Sequence, residues 1–569
     1  MSTAAPARDP LIRELLKARG LESEEAIERF LNPSYDDELH DPFLMRGMEA
    51  AVERVLAAME KGERIAVYAD FDCDGVPGAA VLLQLFQRLE YDAVESYIPH
   101  RHHEGYGLHI PALDTLKERG VSLVITVDLG TTAIEPVAHA RALGIDVIVT
   151  DHHEPPAELP AALAILNPKF APYPDPNLCG AATAWKLACA ILAKGKERGL
   201  SAFASVNEGW EKWLLDLVGI ATIADMVPLV GENRVLARYG LMVLRKTPRP
   251  GIGALMRELS ADQRELTEDD IGFLIGPRIN AASRMDEPEL ALRLLATRHP
   301  GEAAGLAKQL EGLNKKRKGV VAAMTREINK RLREREMHGA VTVLGDPEWK
   351  PALLGLAANG ALETAGGVVC VWGRDGAGNI KGSCRSDGSI SVVELFRAAD
   401  DILTEYGGHH AAGGFSVPHD AIHTLEEEFA RRVAALPREE LSRAMTAYAV
   451  PLARVGQAFY DALAQFAPFG IGNEKPLLAF SNVTIAAIRQ FGKAHEHLEL
   501  TLEQDGARRK AVKFFAKPAE FSLAPSAGGV ATILGELERS VFRGSVELRL
   551  RLVDIVSPGA PCRATIVSI

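Results

Sequence analysis

Short apolar runs that stop at carboxylates, with helical stretches between them, restrict this chain more than any other feature. Ile65–Tyr68 runs into Ala69-Asp70-Phe71-Asp72-Cys73-Asp74-Gly75, Leu123–Val127 ends on Asp128, and Val147–Thr150 ends on Asp151-His152-His153-Glu154. A fourth run, Val94–Ile98, leads into Pro99-His100-Arg101-His102-His103-Glu104-Gly105-Tyr106-Gly107. Helical patterns lie between them, from Ala79 to Leu89 after a Gly75-Val76-Pro77-Gly78 turn, near Leu113–Glu118 and near Ile134–Leu143. Such alternation builds a parallel sheet covered by helices on both faces. In open sheets of this kind, ligands bind at the carboxyl ends of the strands, where these acids and imidazoles fall.

Asp70, Asp72 and Asp74 repel one another unless a cation compensates them; taken alone, they would also fit an acidic turn in solvent. Asp225, after the helical apolar run Trp210–Ile223, adds a further carboxylate. Asp72, Asp74, Asp128, His152 and Asp225, with Asp70 beside them, can hold two divalent ions. Hard oxygen donors mixed with imidazole suit Mn²⁺ or Mg²⁺. A pair of such ions clamps the attacking and leaving oxygens of an in-line phosphoryl displacement. Asp128 is the natural bridge, and His153 is placed to donate to a phosphate oxygen.

A chain of 569 residues is expected to form several domains. The pattern divides it into an N-terminal helical arm (1–45, with helices at Leu11–Lys17 and Glu24–Leu31), a catalytic α/β domain (46–300), a basic connecting helix (301–338), a smaller α/β domain (339–440) and a C-terminal β-barrel (451–569). The six cysteines are scattered without a Cys-x-x-Cys pair, which points to a reducing, cytoplasmic compartment. No signal segment or bilayer-length apolar run is found, so no membrane partner is expected. The net charge of −12 does not favour nucleic acid, but a local basic groove matters more than the total.

Lys315-Lys316-Arg317-Lys318, Arg326, Lys330, Arg331, Arg333 and Arg335 supply such a concentration, either as a solvated helix face or as a phosphate-lined cleft. The Gly- and His-rich run Tyr406–Phe415 reads as backbone that approaches a ligand closely and can form an anion nest. Past the loop Pro468–Pro476, alternation such as Val546–Leu552 indicates strands of a small barrel. Phe491, Lys493, His495, Lys513, Phe514 and Phe515 are its candidate base-stacking and phosphate-contacting residues, although aromatics at strand spacing also serve as core.

Asp-x-Asp-x-Asp-Gly, Val127-Asp128, Asp151-His152-His153 and Ala224-Asp225-Met226-Val227-Pro228 together resemble the DHH phosphoesterase superfamily. Gly276-Pro277-Arg278-Ile279-Asn280-Ala281-Ala282 and Gly407-Gly408-His409-His410-Ala411-Ala412-Gly413-Gly414-Phe415 are similar to motifs of the RecJ single-stranded-DNA exonucleases within it. The resemblance covers nearly the whole chain. It implies that the smaller α/β lobe is a DHHA1 domain and the barrel an OB fold, and it adds Asp151 to the catalytic group. Arg101, Arg278, Asn280, Ser383, Arg385, Gly408 and His409 would contact nucleic-acid phosphates. Cys73, Pro77, Leu129, Ser283 and Cys384 depart from the family pattern, the last two standing where glycine is usual.

The expected activity is therefore a two-metal, 5′-to-3′ exonuclease that converts single-stranded DNA to mononucleotides in repair and recombination. By the resemblance alone, a single-strand-binding protein and a helicase are its partners, and a monomer is the default. A DHH-type phosphodiesterase of dinucleotides or short oligonucleotides, and a non-catalytic single-strand-binding scaffold, are the alternatives.

Overall fold

The computed structural model describes residues 9–335, 339–438, 445–492, 495–542, 545–559 and 564–567. The chain divides into two compact units, residues 39–227 with 231–441, and residues 1–38 with 228–230 and 442–569. Among the described residues no helix is long and apolar enough to cross a membrane.

The first unit opens with five parallel strands, β1 (Arg64–Ala69), β2 (Val94–Tyr97), β3 (Val121–Val127), β4 (Asp146–Thr150) and β5 (Ala164–Leu166), in the order β2-β1-β3-β4-β5. β5 has only three residues, too few to carry a sequence pattern. Ile65 to Ala69 are all buried because both faces are covered. Ala66 and Tyr68 pack with Leu113, Leu116, Val137 and Ala140 from the helices Ile110–Glu118 and Ile134–Ala142. The helices Gly75–Arg88 and Gly180–Glu197 pack together against the other face. The chain leaves β1 for β2 on one side and returns to β3 on the other, so the crevice between the ends of β1 and β3 is the sheet's switch point. Gly75-Val76-Pro77-Gly78, expected as a turn, is instead the first turn of the helix. Proline is tolerated there because its missing N–H has no intrahelical partner to lose.

The helix Pro300–Arg333 leads to the second lobe. This carries β6 (Val341–Gly345), β7 (Val368–Arg374), β8 (Ile380–Ser386), β9 (Glu405–Gly408) and β10 (Ala412–Val417), ordered β6-β7-β8-β10-β9. Only β6 and β7 run parallel. Tyr406–Phe415, read from the sequence as backbone that approaches a ligand closely, is largely the antiparallel pair β9–β10. Its glycines serve close strand packing: a Cβ on Gly413 would lie 2.6 Å from the Phe396 ring and 2.9 Å from Gly407 O.

In the second unit, β11 (Met445–Ala449), β12 (Leu477–Phe491), β13 (His497–Gln504), β14 (Ala507–Lys513), β15 (Val530–Phe542), β16 (Ser545–Val556) and β17 (Ala564–Val567) form one sheet. Five of these strands close on themselves as β12-β13-β14-β16-β15, giving the expected barrel. Its core contains Phe480, Leu500, Ala511, Ile533 and Leu550. Leu11, Ile12, Leu15, Leu16 and Leu31 of the N-terminal helices Pro10–Lys17 and Glu24–Leu31 belong to the same core. The N-terminal arm thus shares the second unit's hydrophobic core, where Phe30 meets the Phe466 ring edge-on at 5.7 Å and Arg19 Nε donates to Asn473 Oδ1 at 2.9 Å.

Candidate metal centre and phosphate pocket

Each acidic residue of the crevice is held by backbone that the fold has already placed. After β1 the chain turns tightly, and Asp72 accepts the N–H groups of Asp74 at 2.8 Å and Gly75 at 3.2 Å. Asp74 is buried and points at the amino end of the helix Gly180–Glu197, accepting N–H from Gly180 at 2.6 Å and Ala181 at 2.7 Å. A carboxylate is favoured at such a helix end. Asp128 follows β3 with a φ of 62°, a left-handed conformation uncommon outside glycine, asparagine and aspartate. Gly180 makes room for it: a Cβ there would come within 2.6 Å of Asp128 Cβ.

The structure brings Asp70, Asp72, Asp74, Asp128, His152, His153 and Asp225 together. Ligand atoms of Asp70, Asp72 and Asp128 lie within 4.8 Å of one another, as do those of Asp74, His152 and Asp225, and those of Asp128, His152 and His153. His152 Nε2 stands at the centre, 3.2 Å from Asp128, 3.6 Å from Asp74 and 3.7 Å from Asp225. Asp151 sits behind this group. It accepts the main-chain N–H groups of His152, His153 and Thr131 and meets His153 Nδ1 at 2.8 Å, so it fixes the turn that carries both histidines and orients the His153 ring.

The electrostatics are those of a site built for cations. Burial and then neighbouring carboxylates push Asp70 and Asp128 well above the usual range; burial also raises Asp74, and Asp225 is pushed up to about 9. Asp70 Oδ1 and Asp128 Oδ1 are buried without a hydrogen-bond partner. Such oxygens are costly to leave unsatisfied, and a divalent ion is the partner that would satisfy them. Burial lowers His152, favouring the neutral imidazole that ligates metal. At His153, the hydrogen bond and charge of Asp151 overcome burial and raise the ring; at Asp151, the same bond overcomes burial and lowers the carboxyl. The donor set fits Mn²⁺ or Mg²⁺.

Beside the carboxylates lies a group of arginines. The loop after β2 is folded back by Glu104, which accepts from Tyr97 OH at 2.7 Å and His100 N at 2.6 Å. This sets the Arg101 guanidinium 4.4 Å from the centre of the Phe71 ring and near Asp70 and Asp72. Arg385 donates to Ser383 Oγ at 3.0 Å, on β8 of the second lobe. Arg284, not singled out from the sequence, joins them. Burial, then Arg101 and Arg317, lower it to about 9, and its guanidinium donates to Ala352 O of the second lobe. Lys350–Asp286 at 2.8 Å closes the same junction.

Arg278 is placed differently from expectation. It is buried, with Nε on Glu311 at 2.8 Å and Nη1 on Leu274 O at 3.0 Å, so most of its donors are engaged within the protein. Asn280 is partly buried, and its Oδ1 has no hydrogen-bond partner. Gly408 and His409 lie at the exposed end of the β9–β10 hairpin, where His409 N donates to Ala412 O at 2.7 Å. The basic run of the long helix divides. Lys315, Lys316 and Lys318 are exposed and Arg317 faces the arginine group, whereas Arg331 binds Glu327 and Arg335 binds Glu426.

On the barrel, His497 gathers Phe491, Phe514 and Phe515 around its ring at centroid distances of 4.7–5.2 Å. Phe515 is 80% exposed, and Arg489 and Arg549 cover Phe491 and Phe514. Lys513 is turned to Val553 O at 2.9 Å, and Lys493 lies outside the described residues.

Comparison with known proteins matches three family models: the N-terminal domain of the DHH family over residues 64–222, the DHHA1 domain over 336–435 and the RecJ OB domain over 447–554. The single-stranded-DNA-specific exonuclease RecJ of Bacillus subtilis is 32% identical over 96% of this chain and 68% of its own length. That of Haemophilus influenzae is 31% identical over 96% of both. The crystal structure of RecJ from Thermus thermophilus in complex with Mn²⁺ superposes with a TM-score of 0.79 at 28% identity, covering 98% of this chain and 77% of that one; the same protein is also known with Mg²⁺.

Proposed function

This chain belongs to the RecJ family of single-stranded-DNA-specific exonucleases, and on that premise we propose that it hydrolyses single-stranded DNA from the 5′ end to mononucleotides with two divalent ions, Mn²⁺ or Mg²⁺. The observation that carries this reading is the convergence of seven acidic and imidazole side chains at the switch point of the parallel sheet. Asp70, Asp72 and Asp128 would hold one ion and Asp74, His152 and Asp225 the other, with Asp128 beside both. When bound, the ions supply Lewis acidity and neutralise charge at phosphorus.

The protein's own groups bind and orient the strand. Arg101, Arg284, Ser383 and Arg385 receive a terminal phosphate, with Arg284 taking the place first given to Arg278. Bidentate guanidinium–phosphate contacts favour a phosphorylated end. His153 presents Nδ1 to Asp151, leaving Nε2 to carry a proton towards a phosphate oxygen. Phe514 and Phe515 offer bases of a single strand a stacking surface. The cytoplasm is the compartment this reading implies, consistent with free thiols at all described cysteines. A helicase and a single-strand-binding protein, which would generate and hold the substrate in repair, are the partners it implies.

The test is Mn²⁺-dependent digestion of a long single strand labelled at either end, with a duplex control. Immediate release of the 5′ label as mononucleotide, with duplex intact, is expected. Early loss of the 3′ label would overturn the polarity. Tight binding without hydrolysis would point to a scaffold, and turnover of dinucleotides alone to a small-substrate phosphodiesterase.

A further inference from the structure

We propose that Cys370 and Cys384 form a redox pair that closes into a reversible disulfide across β7 and β8. The two residues face each other in the strand register, with their sulfurs 3.0 Å apart. The ladder places them favourably. Val368 N donates to Ala340 O, and Trp372 O accepts from Asp346 N, so alternate residues of β7, Cys370 among them, turn their main-chain groups towards β6. On β8, Ser386 N donates to Ala411 O, and Cys384 correspondingly faces β10. Cys370 and Cys384 are therefore a non-hydrogen-bonded antiparallel pair, the kind with Cα atoms about 4.5 Å apart and side chains close together. That spacing lies within the range a disulfide spans, roughly 4.4–6.8 Å.

Both sulfurs are buried in the second lobe's core with Val368, Ile380, Phe396 and Phe415. Burial pushes the Cys370 thiol up, so oxidation is slow, and access is restricted to a small oxidant such as hydrogen peroxide. In the first step one thiol and peroxide give a sulfenic acid and water. The second thiol then attacks that sulfur, forming the S–S bond and releasing another water. A thiol reductant returns both cysteines through exchange. Ser383 and Arg385 flank Cys384 on the opposite face of β8, so the cross-link pins the strand that carries them.

The full-length protein is treated with hydrogen peroxide, denatured, alkylated and digested for mass spectrometry. A Cys370–Cys384 linked peptide, lighter by two hydrogens and separated by dithiothreitol, is expected. It should accompany a Tm a few degrees above that of the reduced protein, and Cys384→Ala should lose both. Sulfinic or sulfonic acid at either residue, a link to another cysteine, or both thiols remaining alkylatable would overturn the proposal. These readouts on the unsubstituted chain stand even if the variant fails to fold.

Discussion

Replacing Gly180 with alanine tests whether Asp128 is aimed by packing. The added Cβ would meet Asp128 Cβ at 2.6 Å, Cα at 2.8 Å and Cγ at 2.9 Å. Ordinary contact begins at 3.4 Å, so about 0.8 Å of displacement is needed. Asp128 is tied through its N–H to Thr150 O at 2.9 Å, and the Gly180 N–H is tied to Asp74. The strain therefore falls on both carboxylates. A shift near 1 Å in a reacting constellation lowers turnover by about 10²-fold. We expect kcat to fall about 50–100-fold, which is ~2–3 kcal/mol on the barrier. Stability changes less, because overpacking of about 1–3 kcal/mol is offset by up to ~1 kcal/mol of helix propensity. Release of a 5′ label at saturating DNA, read beside a thermal melt and the bound-metal content, separates the two effects. A kcat within threefold of the parent, with the fold intact, would refute the reasoning.

Three other outcomes follow from the same geometry. Arg284→Gln should reduce the preference for a 5′-phosphate over a 5′-hydroxyl by about tenfold, on the order of 1.4 kcal/mol, whereas Arg278→Gln should chiefly lower Tm by leaving the buried Glu311 with only Lys315, at 3.5 Å, as its ionic partner; an unchanged end preference in the first variant would reject the pocket as assigned. Asp225 has a folded pKa pushed to about 9, far above its unfolded value, so its ionisation opposes folding above both values and the penalty is relieved as pH falls. Metal-free protein should therefore gain Tm as pH drops from about 9 towards about 5, and Asp225→Asn should flatten that gain. Equal pH slopes in melts of the two proteins would contradict this. Phe515→Ala should weaken binding of a long single strand by about 1–3 kcal/mol per lost stacking contact, with a smaller effect on dinucleotides; equal loss for both substrates in binding titrations would remove the barrel from strand recognition.

The cluster of carboxylates and imidazoles was largely legible because most of its residues stand at strand ends, which apolar runs and glycine turns reveal. Asp128 and Asp151 each follow a buried strand by one position, so knowing the strand places the carboxylate. Arg284 and Gly180 offer no such signal. Arg284 matters through its approach to Arg101 and Ala352, and Gly180 through the space it leaves for Asp128, and both depend on how distant segments meet. The same limit explains Arg278, whose motif suggested a free cation while its partner, Glu311, lies on another helix. At Tyr406–Phe415, glycines that suggested close approach to a ligand include Gly413, whose missing Cβ leaves room for the Phe396 ring and the neighbouring strand. The N-terminal helices showed an apolar face in sequence without showing what covers it.

That covering carries a consequence for biosynthesis. Leu11, Ile12, Leu15, Leu16 and Leu31 share a core whose next member along the chain, Tyr448, stands 417 positions after Leu31. At about 5–20 residues per second, roughly 20–80 s of translation separate the two. During that interval the leading helices have no native interior to enter, while the catalytic sheet, whose strands are close in sequence, can already form. A segment made early is among the last to find its place, and a ribosome stalled before β11 would hold out an amphipathic arm for chaperones to recognise.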